Sequence, residues 1–136
     1  MLFLYKVITN ILYPFLILYM YFRKLIKKEH SERFKEKIYP SHFNINKTEN
    51  SKLCWFHAVS IGELNSILPI IEAINTKYNN FEFLITTTTL SSANLIDKRL
   101  KNLNNIKHRF FPVDVNFLVS KFLDSWKPNV IFFVDS

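Results

Sequence analysis

From residue 53 onward, four short apolar runs alternate with longer, partly polar stretches, and this alternation limits the possible folds more than any other feature of the chain. Leu53–Ala58, Phe81–Thr87, Ile106–Phe111 and Val130–Val134 have the length and near-continuous apolar character of buried strands. Between them, Leu64–Tyr78 carries Leu64, Ile67, Leu68, Ile71 and Ile74 at helical spacing, with Pro69 expected to bend it. Ser91–Leu100 reads as a short polar helix, and Val115–Trp126 sets Phe117, Leu118, Phe122 and Leu123 on one side of another. Such alternation predicts an α/β domain with a parallel sheet and helices on both faces.

Residues 1–22 belong to a different kind of segment. Lys6 is their only charged side chain, and the 16 residues from Val7 to Phe22 carry no charge. That is short of the ~20 needed to cross a bilayer, although Lys6 can snorkel, and Tyr5, Tyr13, Tyr19 and Tyr21 suit an interface. Pro14 is expected to kink a helix here. No small-x-small cleavage site follows, and the basic cluster lies on the wrong side for a secretory signal. A spanning helix, an interfacial anchor and a helix buried in a soluble core stay open as readings.

Residues 23–37 hold seven Lys or Arg against three Glu, so much of the formal net charge of +7 is local and abuts the apolar segment. This favours an anionic membrane surface over nucleic acid, for which basic and aromatic residues would interleave across a folded face. The segment is expected to continue as a helix, followed by a loop over residues 38–51. Cys54 is the one cysteine, which excludes an internal disulfide, and it reads as a small packed hydrophobe. His30, His42, His57 and His108 lack metal-ligand spacing.

In open parallel sheets, ligands bind beyond the carboxyl ends of the strands. Four polar clusters fall there: Ser60-Ile61-Gly62-Glu63, Thr86-Thr87-Thr88-Thr89, Pro112-Val113-Asp114 and Asp135-Ser136. Each has a bland explanation. The threonines suit a strand and turn, Asp114 suits a helix N-cap, and His57 suits a packed, hydrogen-bonded histidine. Glu63 suits either the first turn of a helix, where the macrodipole favours a carboxylate, or a general base. Gly62 stands alone where about nine glycines are ordinary for this length. It is expected to answer a backbone conformation that a side chain would block.

The run Phe56-His57-Ala58-Val59-Ser60-Ile61-Gly62-Glu63 resembles the His-x-Val-Ser-x-Gly-Glu motif of 3-deoxy-D-manno-octulosonic acid (Kdo) transferases. Other features follow in the family's order: the apolar N-terminus with its basic flank, Arg33-Phe34-Lys35-Glu36-Lys37, Pro69, the threonine run, Phe111-Pro112-Val113-Asp114 and Lys127-Pro128. The resemblance covers nearly the whole chain. It implies the N-terminal, acceptor-side half of a GT-B glycosyltransferase: an anchor helix with basic flank over 1–37, then an incomplete Rossmann-like acceptor domain over 38–136. It further implies inverting transfer of Kdo from CMP-Kdo to a lipid A precursor at the cytoplasmic face of the inner membrane, without cofactor or metal.

By the same resemblance, Glu63 is the proton acceptor and Asp135 the transition-state stabiliser, with Ser60, Gly62, Thr88 and Asp114 binding the acceptor. Asp135 stands where the family carries Glu, and Ser91-Ser92 stand where relatives often carry a Thr-Gly turn. The second acid and the tryptophan-proline motif expected after Asp135 are not in these 136 residues, so the chain alone is expected to be inactive. Another membrane-associated GT-B enzyme and a non-catalytic, membrane-anchored α/β binding domain are the alternatives.

Overall fold

A computed structural model describes residues 2–42, 48, 50–100 and 105–134. The described elements are α1 (Leu2–Leu25), 3-10 turns at Arg33–Lys37 and Pro40–His42, β1 (Lys52–His57), α2 (Ile61–Lys77), β2 (Phe81–Thr87), α3 (Leu90–Arg99), β3 (Ile106–Phe110), α4 (Asn116–Trp126) and β4 (Val130–Phe133). The chain divides into two compact units. One comprises Met1–Ile45 and Pro112–Trp126, and the other Asn46–Phe111 and Lys127–Ser136.

The second unit contains the sheet. All its pairings are parallel, and the strand order is β3-β2-β1-β4. The four expected strands are therefore present within a residue or so of their predicted bounds. β1 and β2 are central, and their apolar runs are buried almost throughout, whereas β4 at the edge is exposed along its length. Pleating sends alternate side chains to opposite faces. Cys54, Phe56, Phe83 and Ile85 meet Leu64, Ile67, Leu68 and Ile71 of α2 and Ile96 of α3 in one core. Trp55 and His57 point to the other face with Phe111 and Phe133, the His57 ring 4.6 Å from Phe111 and 5.7 Å from Phe133.

Helix α2 starts three residues earlier than the apolar spacing predicts, because Ser60 caps it. Ser60 is extended (φ −109°, ψ 163°), and its Oγ accepts a hydrogen bond from the Glu63 amide at 3.2 Å. Gly62 and Glu63 thus lie inside the first helical turn rather than ahead of it. The helix runs on through Pro69.

The first unit is built around α1, which runs through Pro14 and ends at Leu25. Residues 23–37 do not continue as one helix, contrary to expectation. Lys27 adopts a left-handed conformation (φ 57°), the Lys28 amide bonds to the Arg23 carbonyl, and the Lys27 amide bonds to that of Lys24. This is a Schellman stop, with lysine where glycine is usual. Met20, Phe34 and Ile38 form the small core that follows, with Ile17, Tyr39 and Val113 packed against it. Glu29 is buried between two cations, 2.8 Å from Arg23 Nε and 2.6 Å from Lys37 Nζ. Asp114 does not cap α4. The helix starts at Asn116, and the Val119 amide bonds to the Val115 carbonyl, which puts Val115 at the cap.

Candidate active site

Because β2 and β3 lie on one side of β1 and β4 on the other, the chain direction reverses beside β1. The crevice at such a switch point, beyond the carboxyl ends of the strands, is where open α/β sheets bind ligands. The loop from β1 into α2 opens there. Its Glu63 is only 9% exposed. One carboxylate oxygen accepts the Val59 amide at 2.7 Å, and the other accepts the Ser60 hydroxyl at 3.0 Å. With the Ser60 cap, these bonds form a variant capping box in which the glutamate reaches back to the residue before the N-cap. Two donors and the helix N-terminus favour the ionised carboxylate.

A second network fixes the adjoining strand end. The Thr86 hydroxyl, fully buried, accepts the Trp55 indole N–H at 2.8 Å and lies 2.8 Å from His57 Nδ1. Burial holds the His57 imidazole below its ordinary pKa, against hydrogen bonding to Thr86 and the charge of Glu63, both of which raise it. His57 is thus the packed, hydrogen-bonded histidine expected. On the opposite face of the sheet, Thr87 Oγ1 lies 2.9 Å from His108 Nε2. Two of the four threonines are therefore pinned by buried histidines, Thr89 caps α3, and Thr88 sits half-buried between them at the strand end.

The expected reason for Gly62 is not found. It does not have a positive φ, and a Cβ built on it would meet only Ser60 Oγ, at an ordinary 3.8 Å. Among the described residues, the left-handed positions are held instead by Lys27, Asn50 and Lys127. Ser60, Gly62, Glu63 and Thr88 all belong to the sheet unit, and Asp114 belongs to the other unit, where its carbonyl accepts the Tyr5 hydroxyl at 3.2 Å. Asp135 lies outside the described residues. Sequence reasoning did not foresee the Val59 amide or the Trp55–Thr86–His57 network, since cross-strand partners become visible only once register is known. A polar concavity of about 410 Å³, lined in part by Asn80, Glu82, Asn105 and Lys107, opens at the amino ends of the strands, away from the switch point. Among the described residues, no group of three or more His, Cys, Asp or Glu could hold a metal ion.

A family profile described as 3-deoxy-D-manno-octulosonic-acid transferase (kdotransferase) matches residues 29–136. The chain belongs to this family. Kdo transferases are glycosyltransferases, and the matched region includes every strand of the sheet and the whole β1–α2 loop. A protein of Arabidopsis thaliana named as a probable mitochondrial 3-deoxy-D-manno-octulosonic acid transferase is 33% identical over 133 residues, 98% of this chain and 29% of that protein. The Kdo transferase of Rickettsia bellii is 32% identical over 135 residues, 98% of this chain and 31% of that protein. That of Rickettsia felis is 37% identical over 84 residues, 62% of this chain and 18% of that protein. The chain spans about 30% of the length of the two relatives it matches end to end. No solved structure matches it.

Proposed function

We propose that this chain is the acceptor-side part of an inverting GT-B Kdo transferase that moves Kdo from CMP-Kdo to a lipid A precursor in lipopolysaccharide biosynthesis. The observation that carries the proposal is the position of Glu63: a carboxylate held on a capped helix turn, at the carboxyl end of the central strand, beside the switch point. In this role Glu63 takes the proton of the acceptor hydroxyl as that oxygen attacks the anomeric carbon of Kdo, and cytidine monophosphate leaves from the opposite side. Ser60 keeps the carboxylate aimed, Gly62 keeps the open side of the turn free of a side chain, and Thr88 and Asp114 offer polar groups to the acceptor. Asp135, following β4, is assigned the stabilisation of charge in the transition state. CMP-Kdo is bound by parts of the enzyme other than these residues. A lipid acceptor that stays in the bilayer requires an enzyme at the surface, and α1 with its basic flank supplies that association at the cytoplasmic face of the inner membrane.

The test is transfer by a full-length transferase carrying this chain, offered a lipid A precursor and labelled CMP-Kdo, UDP-sugars or ADP-sugars in turn. Incorporation from CMP-Kdo alone is expected. Incorporation from a UDP- or ADP-sugar instead would assign the chain to another glycosyltransferase activity, and incorporation from none would leave the binding-domain alternative.

A further inference from the structure

Helix α1 is long and apolar enough, by length and composition, to cross a membrane. Its two sides are not equivalent. As far as Met20, the part-buried or buried positions are Lys6, Thr9, Tyr13, Leu16, Ile17 and Met20, and at 100° per residue they fall on one stripe. That stripe is engaged along its length within its own compact unit. The Tyr5 hydroxyl donates to the Asp114 carbonyl at 3.2 Å. The Tyr13 hydroxyl donates to the Ile38 carbonyl, and the Tyr13 ring meets Phe117 edge-on at 4.9 Å. Further along, Met20 is buried with Phe34 and Ile38, and Arg23 pairs with Glu29. The anchored stretch from residue 5 to residue 23 is about 27 Å long, close to the ~30 Å of a hydrocarbon core.

The opposite stripe is Leu4, Ile8, Ile11, Phe15, Leu18, Phe22 and Leu25, each 46–79% exposed. It is apolar from end to end. Where it finishes, Lys27 and Lys28 are exposed, turned out by the left-handed stop at Lys27.

We infer that α1 is a monotopic anchor, lying in the plane of an anionic bilayer with the Leu4–Leu25 ridge sunk among the acyl chains and Lys27 and Lys28 at the headgroup phosphates. A spanning α1 would have to carry Asp114, the Arg33–Lys37 turn and the Arg23–Glu29–Lys37 cluster into hydrocarbon, or give up every contact on its packed stripe. In the plane, all those contacts persist and only the bare ridge changes its surroundings. Charge complementarity selects the occupant, because the ridge is apolar and its end is cationic. The inference rests on the membrane association proposed above, but not on which sugar is transferred.

The experiment uses the full chain with single nitroxide labels at Leu4→Cys, Ile11→Cys, Leu18→Cys and Leu25→Cys, all exposed positions, with the buried Cys54 left native as the unlabelled control. Depth is read by paramagnetic resonance on vesicles of phosphatidylglycerol and phosphatidylcholine. Four nearly equal depths just below the headgroups are expected. A profile with the ends about 15 Å shallower than the middle would overturn the in-plane orientation and leave membrane association standing. Labels that stay in water, or that are shielded by a second copy of the chain with no vesicle binding, would overturn both. Replacing Lys27 and Lys28 by Gln should weaken binding to anionic vesicles about fivefold per lysine and leave binding to neutral ones unchanged. An equal loss on both would refute the headgroup contact.

Discussion

Glu63→Gln separates folding from chemistry because the capping geometry survives it. Glutamine can turn its carbonyl to the Val59 amide and its NH2 to Ser60 Oγ, which has a lone pair left after accepting the Glu63 amide. What is lost is the charge. Two charge-assisted bonds become neutral ones of about half the strength, and the favourable interaction with the helix N-terminus, about 0.3–1 kcal/mol, disappears. Val59 and Ser60 are partly open to solvent, so water offsets some of this. A net cost of about 1–2 kcal/mol follows. Loss of a general base costs about 10²–10⁴ in rate. Chemical denaturation of the chain gives the first quantity, and single-turnover transfer from CMP-Kdo in the full-length transferase gives the second. Ile71→Val, a buried substitution on the inward side of α2, removes about 0.5–1.5 kcal/mol without touching the carboxylate and serves as the stability-matched control. Turnover by Glu63→Gln within tenfold of the parent, or a loss equalled by Ile71→Val, refutes the base assignment. Where the assignment holds, the acid limb of the parent's rate profile is absent from the variant.

His57 has its pKa held below the unfolded value of ~6.5, so the unfolded chain binds the extra proton first and stability falls as pH drops through 6.5 toward the folded pKa. Melting between pH 8 and 5.5 should show that fall in the parent and a flatter profile in His57→Gln; parallel profiles would place the proton uptake elsewhere. The contribution of Glu82, whose carboxyl is lowered by Thr48 and Lys107 despite burial, is lost only below about pH 4.5 and does not confuse the window. Glu29→Ala strips the shared partner from Lys37 and from the one-third-exposed Arg23, and should cost about 3 kcal/mol by denaturant midpoint; a cost under about 1 kcal/mol would show the cluster to be solvated. Lys27→Gly relieves left-handed strain of about 1–2 kcal/mol, less the entropy glycine adds to the unfolded chain, so the chain should gain about 0.5–1 kcal/mol in the same measurement. Gly62→Ala should leave the chain as stable or up to about 1 kcal/mol more stable, while transfer by the full-length enzyme falls; unchanged transfer would remove Gly62 from the acceptor path.

The sheet was legible because its signal is local. A parallel strand buried on both faces must be apolar almost throughout, and Leu53–Ala58 and Phe81–Thr87 are. Element ends were less legible. The apolar spacing of α2 begins at Leu64, but the helix begins where Ser60 can cap it, so its first turn is polar by construction. Asp114 misled for a related reason. An acidic residue before an apolar run suits an N-cap, yet its carbonyl is taken by Tyr5, 109 residues away in sequence. The break after Leu25 carried no glycine or proline to announce it, and only the hydrogen bonds of Lys27 and Lys28 reveal it.

Gly62 shows how such a chain reassigns its residues. Among the described residues, three backbone positions take the left-handed conformation that favours glycine, and they hold Lys27, Asn50 and Lys127. The one glycine present sits instead in right-handed helix, where it is the poorer choice by up to about 1 kcal/mol. A backbone need cannot explain that placement, and neither can packing, because a methyl group would meet one hydroxyl oxygen at contact distance and otherwise open space. The remaining property of position 62 is that open space itself. It lies on the exposed side of the α2 amino terminus, one residue before Glu63, where a side chain would stand over the turn that aims the carboxylate. Gly62 is therefore costly to the fold, and the acceptor path proposed for this side of the turn is the use that would offset that cost.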